Sequence, residues 1–251
     1  MRPRVITGNI ATIDGRIAAS GAVPSWLDEK WAPITQAGFE LIDFAKLHGA
    51  TVVLEGSNSF VARDAGTASL PKADPSVNWH EDYLPADVIG RFERWMVVVD
   101  SRGRVAWNQV EGGGMHIAVL VARQTPASYL ALLRERQVPY LVCGSERVEL
   151  ETALRRVSET FRTNLVVSTA GGVLNGALLQ AGLVDEVNVQ ILPVVLGSAQ
   201  APAVFEGYSP DLSFPPHKLD LIEAQARPDG SVLMRFIPNG FLKNMDNAQS
   251  G

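Results

Sequence analysis

Short apolar runs and amphipathic stripes alternate along most of the chain. Residues 4–9, 51–54, 95–99, 117–121, 139–143 and 165–167 are brief runs rich in apolar and β-branched side chains, the pattern of strands buried on both faces. Residues 187–192 alternate, with Val187, Val189 and Ile191 set against Asn188 and Gln190. Helical spacing appears between these runs. Residues 26–47 place Trp31, Ile34, Leu41, Ile42 and Ala45 on one broad face, stopped by His48-Gly49. Residues 126–135 open on a proline. Residues 148–161 align Leu150, Leu154, Val157 and Phe161. After Gly171-Gly172, the residues Val173, Leu174, Ala177, Leu178 and Ala181 share a face that Gly182 closes. Near the C-terminus, 219–226 and 231–237 flank Pro228-Asp229-Gly230, a hairpin signal. Strand–helix alternation followed by a hairpin predicts an α/β domain with a mostly parallel central sheet flanked by helices and an antiparallel C-terminal hairpin. It spans residues 1–240, leaving 241–251 as a polar tail. Two stretches fall outside the alternation. Residues 64–92 read as a long irregular segment whose Trp79, His80 and Tyr83 favour a lid closing over something apolar, and Gly112-Gly113-Gly114 reads as a flexible loop.

Three strand ends carry candidate chemistry. Ser168-Thr169-Ala170 leads through Gly171-Gly172 into a helix N-terminus, where unpaired N–H groups and absent side chains let an anion approach. A tight turn needs the same glycines, so the turn alone leaves both readings open. Glu55-Gly56-Ser57 repeats the arrangement after another strand, with Glu55 either a catalytic acid or a local cap and dipole partner. Asp100-Ser101-Arg102-Gly103-Arg104 follows a third strand. Its serine and arginines suit a phosphate, as hydroxyl and bidentate donors, or form a solvated turn.

Composition narrows the class. The 251 residues are 46% hydrophobic with a net charge of −5, and interleaved acids and bases leave no basic patch for nucleic acid. Cys143 is the single cysteine, which excludes an intramolecular disulfide and fits a reducing, cytoplasmic setting; its apolar strand makes it core rather than a reactive thiol. No signal region or membrane-length apolar run is present, so a soluble protein is expected. The four histidines show no metal-ligand spacing. A Gly-x-Ser-x-Gly elbow, a Walker lysine and the zinc-deaminase signature are all missing.

Two segments carry a family resemblance. AGGVLNGALLQAGLVDEVNVQILPVVLG, residues 170–197, resembles the closing segment of the reductase domain of riboflavin biosynthesis, the RibD C-terminal domain family of dihydrofolate-reductase-like fold. Asn9-Ile10-Ala11-Thr12-Ile13-Asp14-Gly15-Arg16-Ile17-Ala18 resembles that family's opening strand and loop. The resemblance, spanning about residues 4–237, implies an NADPH-dependent reductase, passing hydride directly to a small heterocyclic substrate. In the family this is a diaminopyrimidinone ribosylamine phosphate, or 5-amino-6-(5-phosphoribosylamino)uracil. It further implies that Ala170, Gly171, Gly172, Val173 and Leu174, helped by Gly56 and Ser57, surround the cofactor's pyrophosphate. Ser101, Arg102 and Arg104 would take the 2′-phosphate. Thr12, Asp14 and Glu55 are the catalytic candidates, and Asn9, Arg16, Leu196 and Gly197 the substrate-binding ones. A homodimer paired through the sheet region is implied as well. The chain departs from the pattern at Arg16, usually lysine, and at Ala170, often glutamate. It also lacks the Asp-Pro-x-Leu-Thr-x-Arg run whose arginine helps hold the substrate's phosphate, with only Arg63-Asp64 and Ala73-Asp74-Pro75 in that region. These departures point to a changed substrate. The alternatives are a same-fold reductase of another metabolite, such as a dihydropterin or a secondary-metabolism intermediate, and a non-catalytic nucleotide-binding protein.

Overall fold

The apolar runs meet in one ten-stranded sheet in the computed structural model, which describes residues 1–19, 28–61, 70–207 and 216–241. The strands are β1 (Arg4–Thr12), β2 (Val52–Gly56), β3 (Trp95–Val99), β4 (Glu111–Gly112), β5 (Met115–Val121), β6 (Tyr140–Val142), β7 (Leu165–Ser168), β8 (Glu186–Leu192), β9 (His217–Ala226) and β10 (Val232–Phe241). Their order is β4-β5-β3-β2-β7-β1-β8-β10-β9, with β6 also against β5. Neighbours from β6 through β5 to β8 run parallel, and β10 pairs antiparallel with both β8 and β9.

The parallel strands lack polar alternation because both their faces are covered. On one face, α3 (Ala86–Arg91), α5 (Leu150–Thr160) and α6 (Gly172–Gln180) contribute Val88, Leu154, Val157 and Leu178 to a core with Val5, Val52, Val97 and Val187. On the other, α4 (Ala127–Glu135) packs Tyr129, Leu130 and Leu133 against Val98 and Val119, and α2 (Phe44–His48) packs Phe44 against Ile6 and Val167. Cys143 lies in the first core, where burial pushes its thiol up to about 11. No helix among the described residues is long and apolar enough to cross a membrane.

Three expectations need correction. Residues 28–47 are not one helix, and Trp26 and Leu27 lie outside the described residues. Only α1 (Ala32–Thr35) and α2 are helical there. At Glu40 and Ile42, between them, the backbone bonds to distant side chains instead of to itself. Glu40 N–H donates to Asp229 at 2.8 Å, Ile42 N–H to Gln190 Oε1 at 3.1 Å, and Gln190 Nε2 to the Glu40 carbonyl at 2.7 Å.

The aromatic part of residues 70–92 is an edge cover rather than a lid, and residues 64–69 lie outside the described residues. Tyr83 and Tyr140 exchange backbone hydrogen bonds of 3.0 and 2.9 Å along β6. The Arg134 guanidinium stacks over Trp79, Tyr83 and Tyr140, 4.9 to 5.7 Å from their ring centres. An edge strand left open is a pairing hazard, and this segment fills the edge of β6. Gly113-Gly114, with φ of 59° and 75°, forms the two-residue turn between β4 and β5 rather than a loose loop. The terminal hairpin matches the expectation, except that β10 continues to Phe241.

Candidate active site

A cleft of about 1090 Å³ opens at the C-terminal ends of the parallel strands. It passes β3, β2, β7 and β1 in that order, so residues far apart in sequence line one groove. Strand order explains its place. β2, β3 and β5 step outward to one side, while β7 returns between β2 and β1 and sends the chain through α6 to β8 on the other side. Connections that leave in opposite directions open a crevice at the strand ends, where open α/β sheets bind ligands.

The middle of the cleft is the turn before α6. Gly171, Gly172, Val173 and Leu174 line it, and no side chain caps the helix. Its first N–H groups therefore face the groove, presenting donors and the positive end of the helix dipole. The turn is held from beneath by a buried polar cluster. Asn175, fully buried, donates to Asn9 Oδ1 at 2.9 Å and to the Ala170 carbonyl at 2.8 Å, and accepts from Ser168 Oγ at 2.7 Å. Asn9 Nδ2 donates to the same carbonyl at 3.0 Å, while Asn9 itself lines the cleft. Ala170 is buried below the groove and takes part through this carbonyl alone.

A crossing segment shapes the other side of α6. A Cβ added at Gly172 would lie 2.4 Å from the Ala203 carbonyl, and one at Gly176 only 2.0 Å from the Glu206 carbonyl. Glu206 N–H donates to the Gly172 carbonyl at 2.9 Å, and the Glu206 side chain reaches the groove.

At the β3 end stand Ser101, Arg102 and Arg104. Arg104 is committed: its guanidinium donates to Ser57 Oγ at 2.8 Å and Asn58 Oδ1 at 2.6 Å, joining the β3 turn to the β2 turn. Arg102 is exposed and makes no hydrogen bond or ion pair among the described residues. Gly56 and Ser57 line the groove between this end and α6. At the β1 end the wall turns apolar, with Ile10, Ile17, Ile42 and Phe44.

The structure withdraws several candidates from the groove. Glu55 is buried and accepts hydrogen bonds from Ser59 Oγ at 2.9 Å and Thr169 Oγ1 at 2.5 Å, stapling the β2 turn to the β7 turn. Burial pushes its carboxyl upward, against those two bonds. Asp14 accepts from Thr12 Oγ1 at 2.7 Å and from the N–H groups of Leu196 and Gly197 at 3.0 and 2.9 Å. These donors, the Thr12 hydroxyl foremost, hold its carboxyl at about 2. Arg16 donates to the Ala201 carbonyl at 2.9 Å. Thr12, Asp14, Arg16, Leu196 and Gly197 therefore form one knot outside the cleft, which aims the next residues, Ile17 and Ala18, into it. None of these five residues is among those that line the cleft. Sequence reasoning missed Asn175, Phe44, Glu206 and Arg147 in or under the groove; an asparagine amid the leucines of α6 was the one available signal.

Residues 3–233 match the model of the RibD C-terminal domain. The chain belongs to that family. Among relatives of this RibD C-terminal domain, a 2,5-diamino-6-ribosylamino-4(3H)-pyrimidinone 5′-phosphate reductase of Methanothermobacter thermautotrophicus is 28% identical over 213 residues, covering 82% of the chain and 85% of the relative. The protein of the same description from Archaeoglobus fulgidus is 32% identical over 114 residues, 45% of the chain and 51% of that relative. A pyrimidine reductase-like protein of Corynebacterium diphtheriae shares the fold with a TM-score of 0.63 at 16% identity, covering 94% and 92% of the two chains. A riboflavin biosynthesis reductase of Saccharomyces, Rib7, does so with a TM-score of 0.57 at 15% identity, covering 94% and 90%.

Proposed function

We propose that this RibD C-terminal domain is an NADPH-dependent reductase that passes hydride to a small heterocyclic substrate of the class reduced by its named relatives. The observation that carries the reading is the order of features along one groove. An arginine without a partner stands at the β3 end, an uncapped helix N-terminus in the middle, and an apolar wall at the β1 end. A dinucleotide phosphate has the same order: adenosine 2′-phosphate, pyrophosphate, nicotinamide. Ser101 and Arg102 would hold the 2′-phosphate, and the N–H groups following Gly171 the pyrophosphate. Ile10, Ile17 and Phe44 would exclude water beside the nicotinamide, with Asn9 offering a polar contact. The bound cofactor supplies the hydride, and the chain supplies position and a dry wall. Ala170 leaves no carboxylate before the glycine pair, which favours a substrate altered from that of the relatives.

Titration with NADPH and NADH, read from quenching of the five tryptophans, tests this. NADPH is expected to bind more tightly, and Arg102→Ala to weaken it by about ten-fold or more while leaving NADH nearly unchanged, the worth of one charged hydrogen bond. Failure of both nucleotides to bind at cofactor-like concentrations would remove the reductase reading.

The same reading includes a homodimer. β9 is exposed along nearly its whole length, with Leu221 58% and Ile222 48% exposed, and Ile237 of β10 is 49% exposed beside it. Exposed apolar side chains on both faces of an open edge suit a second copy of the chain. Sedimentation should give twice the 27.1 kDa chain mass, and Leu221→Lys with Ile237→Lys should return the monomer. A monomeric parent protein would overturn it.

A further inference from the structure

We infer that Arg147 is the second guanidinium of the cofactor's 2′-phosphate subsite and sets the preference for NADPH over NADH together with Arg102. The inference rests on the cofactor reading above and adds a residue from a different loop. The β3 end of the cleft is lined by Ser101, Arg102, Gln124, Glu146 and Arg147. Arg104, the other arginine of that end, spends its guanidinium on Ser57 and Asn58. Arg147, like Arg102, is exposed and makes no hydrogen bond or ion pair among the described residues.

Its side chain is unengaged but its backbone is fixed. Arg123 and Gln124 N–H groups donate to the Gly144 and Ser145 carbonyls, each at 3.0 Å, and Glu149 N–H donates to the Cys143 carbonyl at 2.9 Å. Gly144 has φ +113°, and a Cβ there would lie 2.2 Å from the Arg147 carbonyl, so only glycine lets the loop curl this tightly. Ser101 Oγ accepts from Val148 N–H at 3.0 Å, tying the residue next to Arg147 to the residue next to Arg102. As an acceptor in that bond, the Ser101 hydroxyl keeps its own proton to donate to a ligand.

Charge points the same way. Glu146 lines this end, so Arg102 alone would be offset by one carboxylate; Arg147 restores a net positive charge. Asp100, which also lines it, has one carboxylate oxygen engaged by the Arg104 and Val105 N–H groups and the Tyr129 hydroxyl. A phosphate dianion accepts bonds from two planar forks at once, which a ribose hydroxyl does not require.

The test compares wild type, Arg147→Ala, Arg147→Lys and Arg102→Ala. The probes are NADPH, NADH, adenosine 2′,5′-bisphosphate and adenosine 5′-monophosphate. Arg147→Ala should weaken NADPH and the bisphosphate by about ten-fold or more, leaving NADH and the monophosphate within about two-fold. Arg147→Lys should recover part of the loss, since a point charge replaces the fork. Unchanged NADPH binding, or equal losses for NADPH and NADH, would overturn the role of Arg147. In that case a selective loss in Arg102→Ala would leave the cofactor reading standing. If the wild type shows no preference for the 2′-phosphorylated ligands, the cofactor reading fails and this inference with it.

Discussion

Gly176→Ala is expected to destabilise the protein by about 3 kcal/mol, at the upper end of what overpacking a core costs. In an exposed helix interior the same change would stabilise by about 1 kcal/mol, because alanine gives up less backbone freedom. Contact decides the sign here. The new methyl would sit 2.0 Å from the Glu206 carbonyl, and that atom belongs to a backbone segment that Glu206 N–H also ties to the Gly172 carbonyl. Neither the helix nor the crossing segment can yield without breaking the seam between them. Urea unfolding should show a lower midpoint with an unchanged slope, whereas Gly90→Ala in α3, where nothing lies within 4 Å, should be neutral or slightly stabilising. Equal behaviour of the two variants would mean that residues 203–206 do not press on α6.

Asn175→Ala should cost about 2–4 kcal/mol and weaken both nucleotides together. The fully buried amide serves three partners at one point: it donates to Asn9 Oδ1 and the Ala170 carbonyl and accepts from Ser168 Oγ. Truncation leaves the Asn9 oxygen and the Ser168 hydroxyl without that partner, and each such buried group costs about 1–3 kcal/mol. The Ala170 carbonyl keeps its bond from Asn9, so the glycine turn is loosened rather than lost. Because the turn sits under the middle of the groove, NADPH and NADH should lose affinity by the same factor, unlike the selective effect expected at Arg102. The measurement is the ratio of the two dissociation constants in Asn175→Ala. A shift in that ratio, or an unaltered unfolding midpoint, would refute the supporting role of the cluster.

The strands were legible because their signal is local. Residues 95–99, for example, are all apolar and emerge as β3 with the same bounds. The glycine turn and the free end of α6 were legible for a related reason, since Gly171-Gly172 after a strand and before an apolar helix leaves few backbone alternatives. The segment 28–47 was misread because the competing hydrogen bonds come from Gln190 and Asp229, far along the chain. The aromatic residues of 70–92 looked like a lid because composition cannot tell which surface they cover; Tyr140 and Arg134 decide that.

The division is sharpest at the charged candidates. Arg102 and Arg104 are two residues apart in one motif, yet one is without a partner and the other is bound to Ser57 and Asn58, 47 and 46 positions away. Asp14 reads as a loop carboxylate open to substrate, and its partners Leu196 and Gly197 lie 182 and 183 positions on. The sequence by itself determined the α/β class, the family and the phosphate-suited turn, each of which depends on neighbouring residues and backbone freedom. Which polar side chains remain available to a ligand was decided by the tertiary structure alone, because a hydrogen bond already made within the fold removes a donor or acceptor from the site, and those bonds are formed between segments that meet only when the sheet assembles.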